Sequence, residues 1–509
     1  MKKLYILPLL FGLLFSSCED YLNVGSETDL TQDQIYSTDE GFHKALTGVY
    51  IGMGSEYLYG SQLTWRMVEH FAQHYEYKSS GSDAQFYSYN FTHSTVASTI
   101  EGVWNGLYNL IYRCNDILTN LEERKSEVNP INYQMVKGEA LALRAFFHFD
   151  LLRLFGHGDY RNRSTELSGK YTIPYVTTVG KEITKQATYA EVFRNLKADL
   201  TEATQLLWGK DGENCSLTKK GLDNLNIAAG NTTNFYTCTD VDSKPRINYY
   251  AAKAILARVL MWEGSDEGYQ AILDFLENEW EPQGNNQGYK AWRWISASRL
   301  TDNYVDRIMT EENFWYLQGS GLNDIIGEWF TYRSTDPNNV FMLTPTVYKD
   351  IFEYNTIGFG DGRAVYQYTI GTGTSNYEIL KLNQYDGDKV FYYKNMIPLI
   401  STAELYYMAA EIYLERGESD NALAKLNEVR RHRGLTTDLM ELDNDAIKNE
   451  ILKEWRKEYI ALGQLFFLYK RWNLDTVGST TMTDEQYVLP FPENETLTGN
   501  REQFITEKE

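Results

Sequence analysis

The sequence predicts a mainly α-helical chain, in which antiparallel helix pairs form a scaffold that carries a loop-rich half and a few short strands. Three observations predict it. Apolar residues recur three and four positions apart through long stretches between Ile100 and Trp472. In two of those stretches small residues sit at matching offsets around a glycine, Gly264 and Gly417. Between the helical blocks lie segments rich in Gly, Asn, Thr and Tyr, where helical spacing is interrupted.

The first segment is not part of the fold. Lys2 and Lys3 precede an apolar run from Leu4 to Phe15, which ends at Ser16 and Ser17. A cationic start, a short apolar core and small residues before a cleavage point describe a signal peptide, here residues 1–17. The run falls short of the ~20 residues that span a bilayer. In LPLLFGLLFSSCED the small residue before Cys18 is similar to the bacterial lipobox, although Phe15 stands where Leu is usual. The resemblance implies lipidation of the Cys18 sulfur, with more than one acyl chain, which is what stable anchoring requires. Glu19 and Asp20 resemble the acidic tag that sends Bacteroidetes lipoproteins to the outer face of the outer membrane. An ordinary signal peptide with an incidental cysteine is the alternative.

The rest, residues 18–509, reads as a single body. Helices are expected mainly within 100–155, 188–207, 248–280 and 400–472. The individual spans are Ile100 to Leu121, Ile131 to Phe155, Tyr189 to Leu207 and Asp445 to Trp472. The stretch LALRAFFHFDLLRLFG reads as an amphipathic face. From Ala403 to Arg433, Gly417 breaks the pattern and Ser419 or Asp420 is placed to cap the next helix. Ala410, Tyr413, Gly417, Ala422, Leu426 and Val429 resemble the small and large positions of a tetratricopeptide unit. Ala257, Leu260, Gly264 and Leu273 repeat the offsets, with Tyr269 in place of the small alanine. One such unit cannot bury its own apolar face, so several must stack. The loop-rich, ligand-binding region is expected mainly at 56–100 and 280–398.

Bulk composition excludes several functions. The formal charge of −22 becomes −24 once Lys2 and Lys3 leave with the signal peptide. Such a surface repels nucleic-acid phosphates and anionic headgroups. Cys114 falls in a helical pattern and reads as a buried apolar residue. Cys215 and Cys238 flank a polar stretch, and an exported protein permits but does not require a bridge between them. GxSxG, a phosphate loop and CxxC are absent, and GTGTS at Gly371 to Ser375 reads as a turn. No catalytic carboxylate pair stands in a recognisable motif, so no enzyme and no cofactor is expected. His70 and His74 lie four apart but lack the glutamate of HExxH, so no metal site is expected.

Along its length the chain resembles the SusD/RagB nutrient-binding lipoproteins of Bacteroidetes. The residues that carry the resemblance are DYLNV at Asp20, GFHKALTGVY at Gly41 and VWNGLYNLIYRCNDIL at Val103. KGEALALRAFFHFDLLRLFG at Lys137 is the most characteristic piece, followed by AAKAILARVLMW at Ala251 and DGR at Asp361. AELYYMAAEIYLERG at Ala403, EWRKEYIALGQLFFLYKRW at Glu454 and LPFP at Leu489 complete the set. Many members have Glu-Gly-His-Arg where this chain has Leu462, Gly463, Gln464 and Leu465, and Leu468 replaces a frequent Asp. The resemblance implies a cell-surface protein that captures an oligosaccharide and delivers it to a SusC-like TonB-dependent transporter.

Aromatic residues independently point to a sugar. They make up 14% of the chain, and many lie outside helical stripes. Sugars offer apolar C–H faces to rings and hydroxyls to Asn, Asp and Arg. One cluster places Tyr75, Tyr77, Phe86, Tyr87 and Tyr89 around a Gly/Ser-rich bend. The other supplies Trp292, Trp294, Trp315, Tyr316, Trp329 and Tyr332, with Asn323, Asp324 and Arg333 nearby. For each ring the competing role is a place in the core, and Trp104 is expected there. An oligopeptide site on the same scaffold is the alternative ligand class; a glycan-processing enzyme is a remote third.

Overall fold

The computed structural model describes residues 32–79, 81, 83–209, 217–220, 245–281, 294–295, 306–330, 340–354, 356, 358–383, 385–386, 389–390 and 393–503. Cys18, Cys215, Cys238, Trp292, Tyr332 and Arg333 lie outside them.

Helix α1 (Asp39–Met53) starts at Thr38, whose hydroxyl accepts the Gly41 N–H. Two short helices follow, α2 (Met67–Phe71) and α3 (Asp83–Tyr87). Then come the long helices α4 (Ser94–Glu123) and α5 (Pro130–Phe155). Asn129 caps α5 and Pro130 occupies its first position, where the missing N–H costs nothing. Helix α6 (Tyr160–Leu167) leads into a hairpin of β1 (Tyr171–Pro174) and β2 (Gln186–Thr188). A reciprocal cap between Thr188 and Glu191 then opens α7 (Tyr189–Leu206). Helix α5 packs between α4 and α7.

The next unit is α8 (Tyr249–Glu263) and α9 (Asp266–Asp274). They turn at Gly264, whose φ of +73° and closeness to Arg161, 2.6 Å from an added Cβ, require glycine. The loop-rich half follows. It holds β3 (Asn313–Gln318), α10 (Leu322–Phe330), β4 (Met342–Leu343), α11 (Pro345–Phe352), α12 (Gly362–Tyr366), β5 (Tyr368–Ile370) and β6 (Tyr377–Ile379). After the two-residue strands β7 (Tyr385–Asp386) and β8 (Lys389–Val390), β9 (Met396–Ser401) runs antiparallel to β3. The chain then returns to helices: α13 (Thr402–Glu415), α14 (Ser419–His432), α15 (Asn444–Tyr459) and α16 (Leu465–Arg471). A small hairpin, β10 (Thr476–Val477) and β11 (Thr480–Thr481), is followed by helices α17 (Asp484–Tyr487) and α18 (Glu493–Leu497).

The mainly α fold with few short strands is as expected, and three details differ. Helix α5 is buried along most of its length and not amphipathic. Its polar residues are paired inside the protein. Arg144 grips Asp199 with two bonds of 2.8 and 2.6 Å, and Asp150 accepts the Tyr59 hydroxyl while bonding Arg153. The helix expected from Asp445 to Trp472 is two helices. Ala461 and Gly463 have φ of +65° and +70°, and a Cβ on Gly463 would lie 2.5 Å from the Thr64 carbonyl oxygen. That close approach ends α15 and sets α16 against the region around α2. At α14, neither Ser419 nor Asp420 is the cap; Glu418 precedes the helix without a side-chain cap bond.

The DGR motif lies at the centre of a buried ion cluster that joins the two halves. Arg363 bonds Asp361 and Glu454 at 2.7 Å each and Glu458 at 3.0 Å. Arg433 bonds Glu458 at 2.8 Å and Glu312, just before β3, at 2.6 Å. Burial raises the Glu458 carboxyl, but the Arg433 and Arg363 guanidiniums outweigh it and hold Glu458 down at about 2. Cys114 is buried and free, its thiol pushed up to about 12 by burial. Among the described residues no helix is long and apolar enough to cross a membrane.

Candidate functional site

The two aromatic clusters, about 250 positions apart in sequence, meet in space. The segment after α2 runs beside the residues around β4. The Glu76 N–H donates to the Met342 carbonyl at 2.7 Å, and the Lys78 ammonium to that of Val340 at 2.8 Å. The Tyr75 ring stacks on Phe341 at 4.7 Å, nearly parallel. Trp65, fully buried, lies 6.3 Å from Trp329 and meets Phe330 edge-on at 5.4 Å. These contacts fix the floor of the site.

Above that floor some rings stay open. Tyr77 is 51% exposed, and its ring lies 4.9 Å from that of half-buried Tyr87 on α3. Trp329, also half-buried, stacks on Phe341 at 5.0 Å and carries the Arg66 guanidinium 4.0 Å over its ring. Arg66 Nε in turn donates to Asp83 Oδ1 at 3.2 Å, and Asp324 is exposed on α10. Half-buried Trp329, the Arg66 guanidinium and the Asp83 carboxylate thus form one chain of contacts, and α3 carries Tyr87, with Tyr77 beside it, one helical turn beyond Asp83. Such a set suits a ligand with apolar faces and hydroxyl edges.

Other expected residues fall elsewhere. Tyr75, Phe86, Trp315 and Tyr316 are 3%, 2%, 0% and 2% exposed. Trp315 meets Phe146 of α5 edge-on at 4.9 Å, and its indole N–H donates to the Pro245 carbonyl. These four rings are buried and form no open platform: Tyr75 and Phe86 pack into the floor against Phe341, His70 and Phe71, and Trp315 packs against the long helix α5. Asn323 is buried as well. Trp294 is half-buried but apart from the site, stacked on His432 at 4.6 Å beside Tyr406. His70 is walled by Tyr75, Phe86 and Phe341, and burial pushes its imidazole down to about 4. His74 lies 2.9 Å from the Tyr469 hydroxyl. Arg66, Lys78 and Asp83 were not foreseen. Arg66 directly follows Trp65, and its adjacency to Trp329 is a long-range contact with no local signature.

Two family models match the chain at its two ends. One, described as SusD-like and as starch-binding, associating with the outer membrane, matches residues 20–218. The other, described as the SusD family, matches residues 367–508. The chain belongs to the SusD/RagB family. Among curated relatives, the SusD-like protein P38 of Formosa agariphila is 24% identical over 519 aligned positions, covering 93% of this chain and 92% of that one. A SusD superfamily protein of Bacteroides thetaiotaomicron superposes with a TM-score of 0.68 at 19% identity, covering 91% of this chain and 98% of the other. A SusD-like carbohydrate-binding protein of Bacteroides vulgatus gives 0.64 at 18%, covering 88% and 86%. These likenesses establish the SusD-like fold. The buried partners of Arg144, Asp150, Arg153, Asp361 and Arg363 give a physical account of the SusD/RagB motifs that contain them.

Proposed function

We propose that this SusD/RagB protein is a non-catalytic receptor that captures an oligosaccharide at the cell exterior and passes it to a SusC-like TonB-dependent transporter. The observation that carries the reading is the open Tyr77–Tyr87 pair beside Trp329, Arg66 and Asp83. Aromatic faces take the C–H faces of a sugar, while the guanidinium and carboxylates exchange hydrogen bonds with its hydroxyls. The family description, starch-binding and associating with the outer membrane, supports both the ligand class and the location. Lipidation at Cys18 is the anchor in this reading. Residues 1–17 would be removed, and the acidic pair Glu19 and Asp20 would direct the protein outward.

Isothermal titration of the soluble chain beginning after Cys18 tests the ligand class. Starch-derived, cellulose-derived and xylan-derived oligosaccharides are titrated beside a peptide mixture. Heat with a glycan that Tyr77→Ala diminishes supports the reading. Heat with peptides and with no glycan would establish the oligopeptide alternative instead.

A further inference from the structure

Resting on the glycan reading above, we propose that a groove beside the start of α4 is a second sugar subsite, and that the ligand is a neutral oligosaccharide long enough to occupy both places. The groove holds about 640 Å³, within the ~300–1,000 Å³ usual for small-molecule sites. Half-buried Phe91 and Pro490 supply apolar surface, and Glu101, Glu485 and Glu493 supply carboxylates. Exposed Ala97 of α4 forms part of the wall. Ser94 and Ser98 add hydroxyls, so an aromatic ring, acceptors and donors stand together as a sugar requires.

Two features connect the groove to the site. Phe91 follows Tyr87 by four positions, so their Cα atoms are at most about 14 Å apart. Phe91 is also held edge-on against Phe71 of α2 at 5.8 Å, which fixes its place next to the aromatic floor. A ligand confined to the Tyr77–Tyr87 pair leaves the groove empty; a longer one has an apolar surface to continue along.

The charge pattern selects among glycans. Among the described residues no lysine, arginine or histidine lines the groove, and three carboxylates do. Uronate or sulfated sugars would place like charge against like, in the field of a chain already at −22. Neutral hydroxyls instead donate to the carboxylates.

The test is a size ladder of malto-, cello- and xylo-oligosaccharides, from the disaccharide upward, with oligogalacturonates as the anionic ladder. In the wild-type chain, affinity for the neutral series that binds rises about tenfold once the oligomer exceeds the first site. Ala97→Trp, an exposed position whose new ring fills the groove, removes that gain and leaves disaccharide affinity unchanged. Tyr77→Ala weakens every length. Glu485→Gln with Glu493→Gln admits oligogalacturonates that the wild type rejects. Equal affinity at all lengths, an Ala97→Trp ladder matching wild type, or wild-type binding of oligogalacturonates as tight as of the neutral series overturns the subsite while leaving glycan capture intact. If no oligosaccharide binds at any length, glycan capture itself falls, and the subsite with it.

Discussion

Tyr77 and Trp315 look alike as sequence, each an aromatic in a polar, Gly-rich neighbourhood, and the fold gives them opposite roles. Tyr77 is half open against Tyr87, whereas Trp315 is enclosed against Phe146. Truncating them therefore separates binding from stability. Tyr77→Ala should weaken glycan binding by about 1–3 kcal/mol, the scale of stacking on a planar partner, with Tm unchanged. Trp315→Ala should cost about 3–5 kcal/mol of folding stability by opening a cavity, read from the denaturation midpoint. A Tyr77→Ala variant that unfolds early but binds normally would move that ring into the core. Sequence composition located both clusters because ring-rich loops depart visibly from helical patterning. It could not rank the rings, since burial of Tyr75 depends on Phe341 and placement of Trp329 depends on Arg66, contacts that only the assembled chain creates.

Helices were legible where apolar spacing alone defines them, as in α4, α7 and α13. They were misjudged where polar side chains are spent internally or where backbone proximity breaks the helix. In α5, Arg144, His148, Asp150 and Arg153 mimic a solvated face, yet each is buried and bonded. At Gly463 the break comes from the Thr64 backbone, a neighbour remote in sequence. The DGR segment shows the same logic, because Arg363 reaches Glu454 and Glu458 on α15. Arg363→Met removes one partner from a desolvated set and leaves Asp361, Glu454 and Glu458 undercompensated. A loss of about 3–5 kcal/mol is expected, measured by urea denaturation. Arg363→Met combined with Asp361→Asn should recover part of it, since Asp361 pairs with Arg363 and the amide no longer buries a charge that has lost that partner. A single variant as stable as wild type would show that Arg433 alone holds the cluster.

At the scale of the whole chain, a net acidic charge is combined with a core rich in buried titratable groups, and the proposed anchor at Cys18 is open to test. Cys18→Ala should stop incorporation of labelled fatty acid and release the protein from the membrane fraction, because a protein anchored only by acyl chains has no other hold. Acid should unfold the protein through its histidines before its carboxylates. Burial pushes His148 and His43 down to about 3, and His70 and His157 to about 4, from an ordinary 6.5. His148 shows why: its Nε2 accepts the Val176 N–H at 2.9 Å, so Nδ1 must donate to the Arg144 carbonyl at 2.9 Å, which only the neutral ring can do. With folded values below unfolded ones, the unfolded chain binds more protons beneath pH ~6.5, and stability falls as pH drops from there. Glu458, depressed to about 2, adds a second loss below its ordinary 4.5. Glu139 and Glu415, raised chiefly by burial, act in the opposite sense, but only as the pH nears the carboxylate range. Tm measured by calorimetry at fixed ionic strength should therefore begin to fall near pH 6.5, ahead of any carboxylate titration. A Tm that stays flat from pH 7 to 5 would mean these imidazoles take up protons without disturbing their partners.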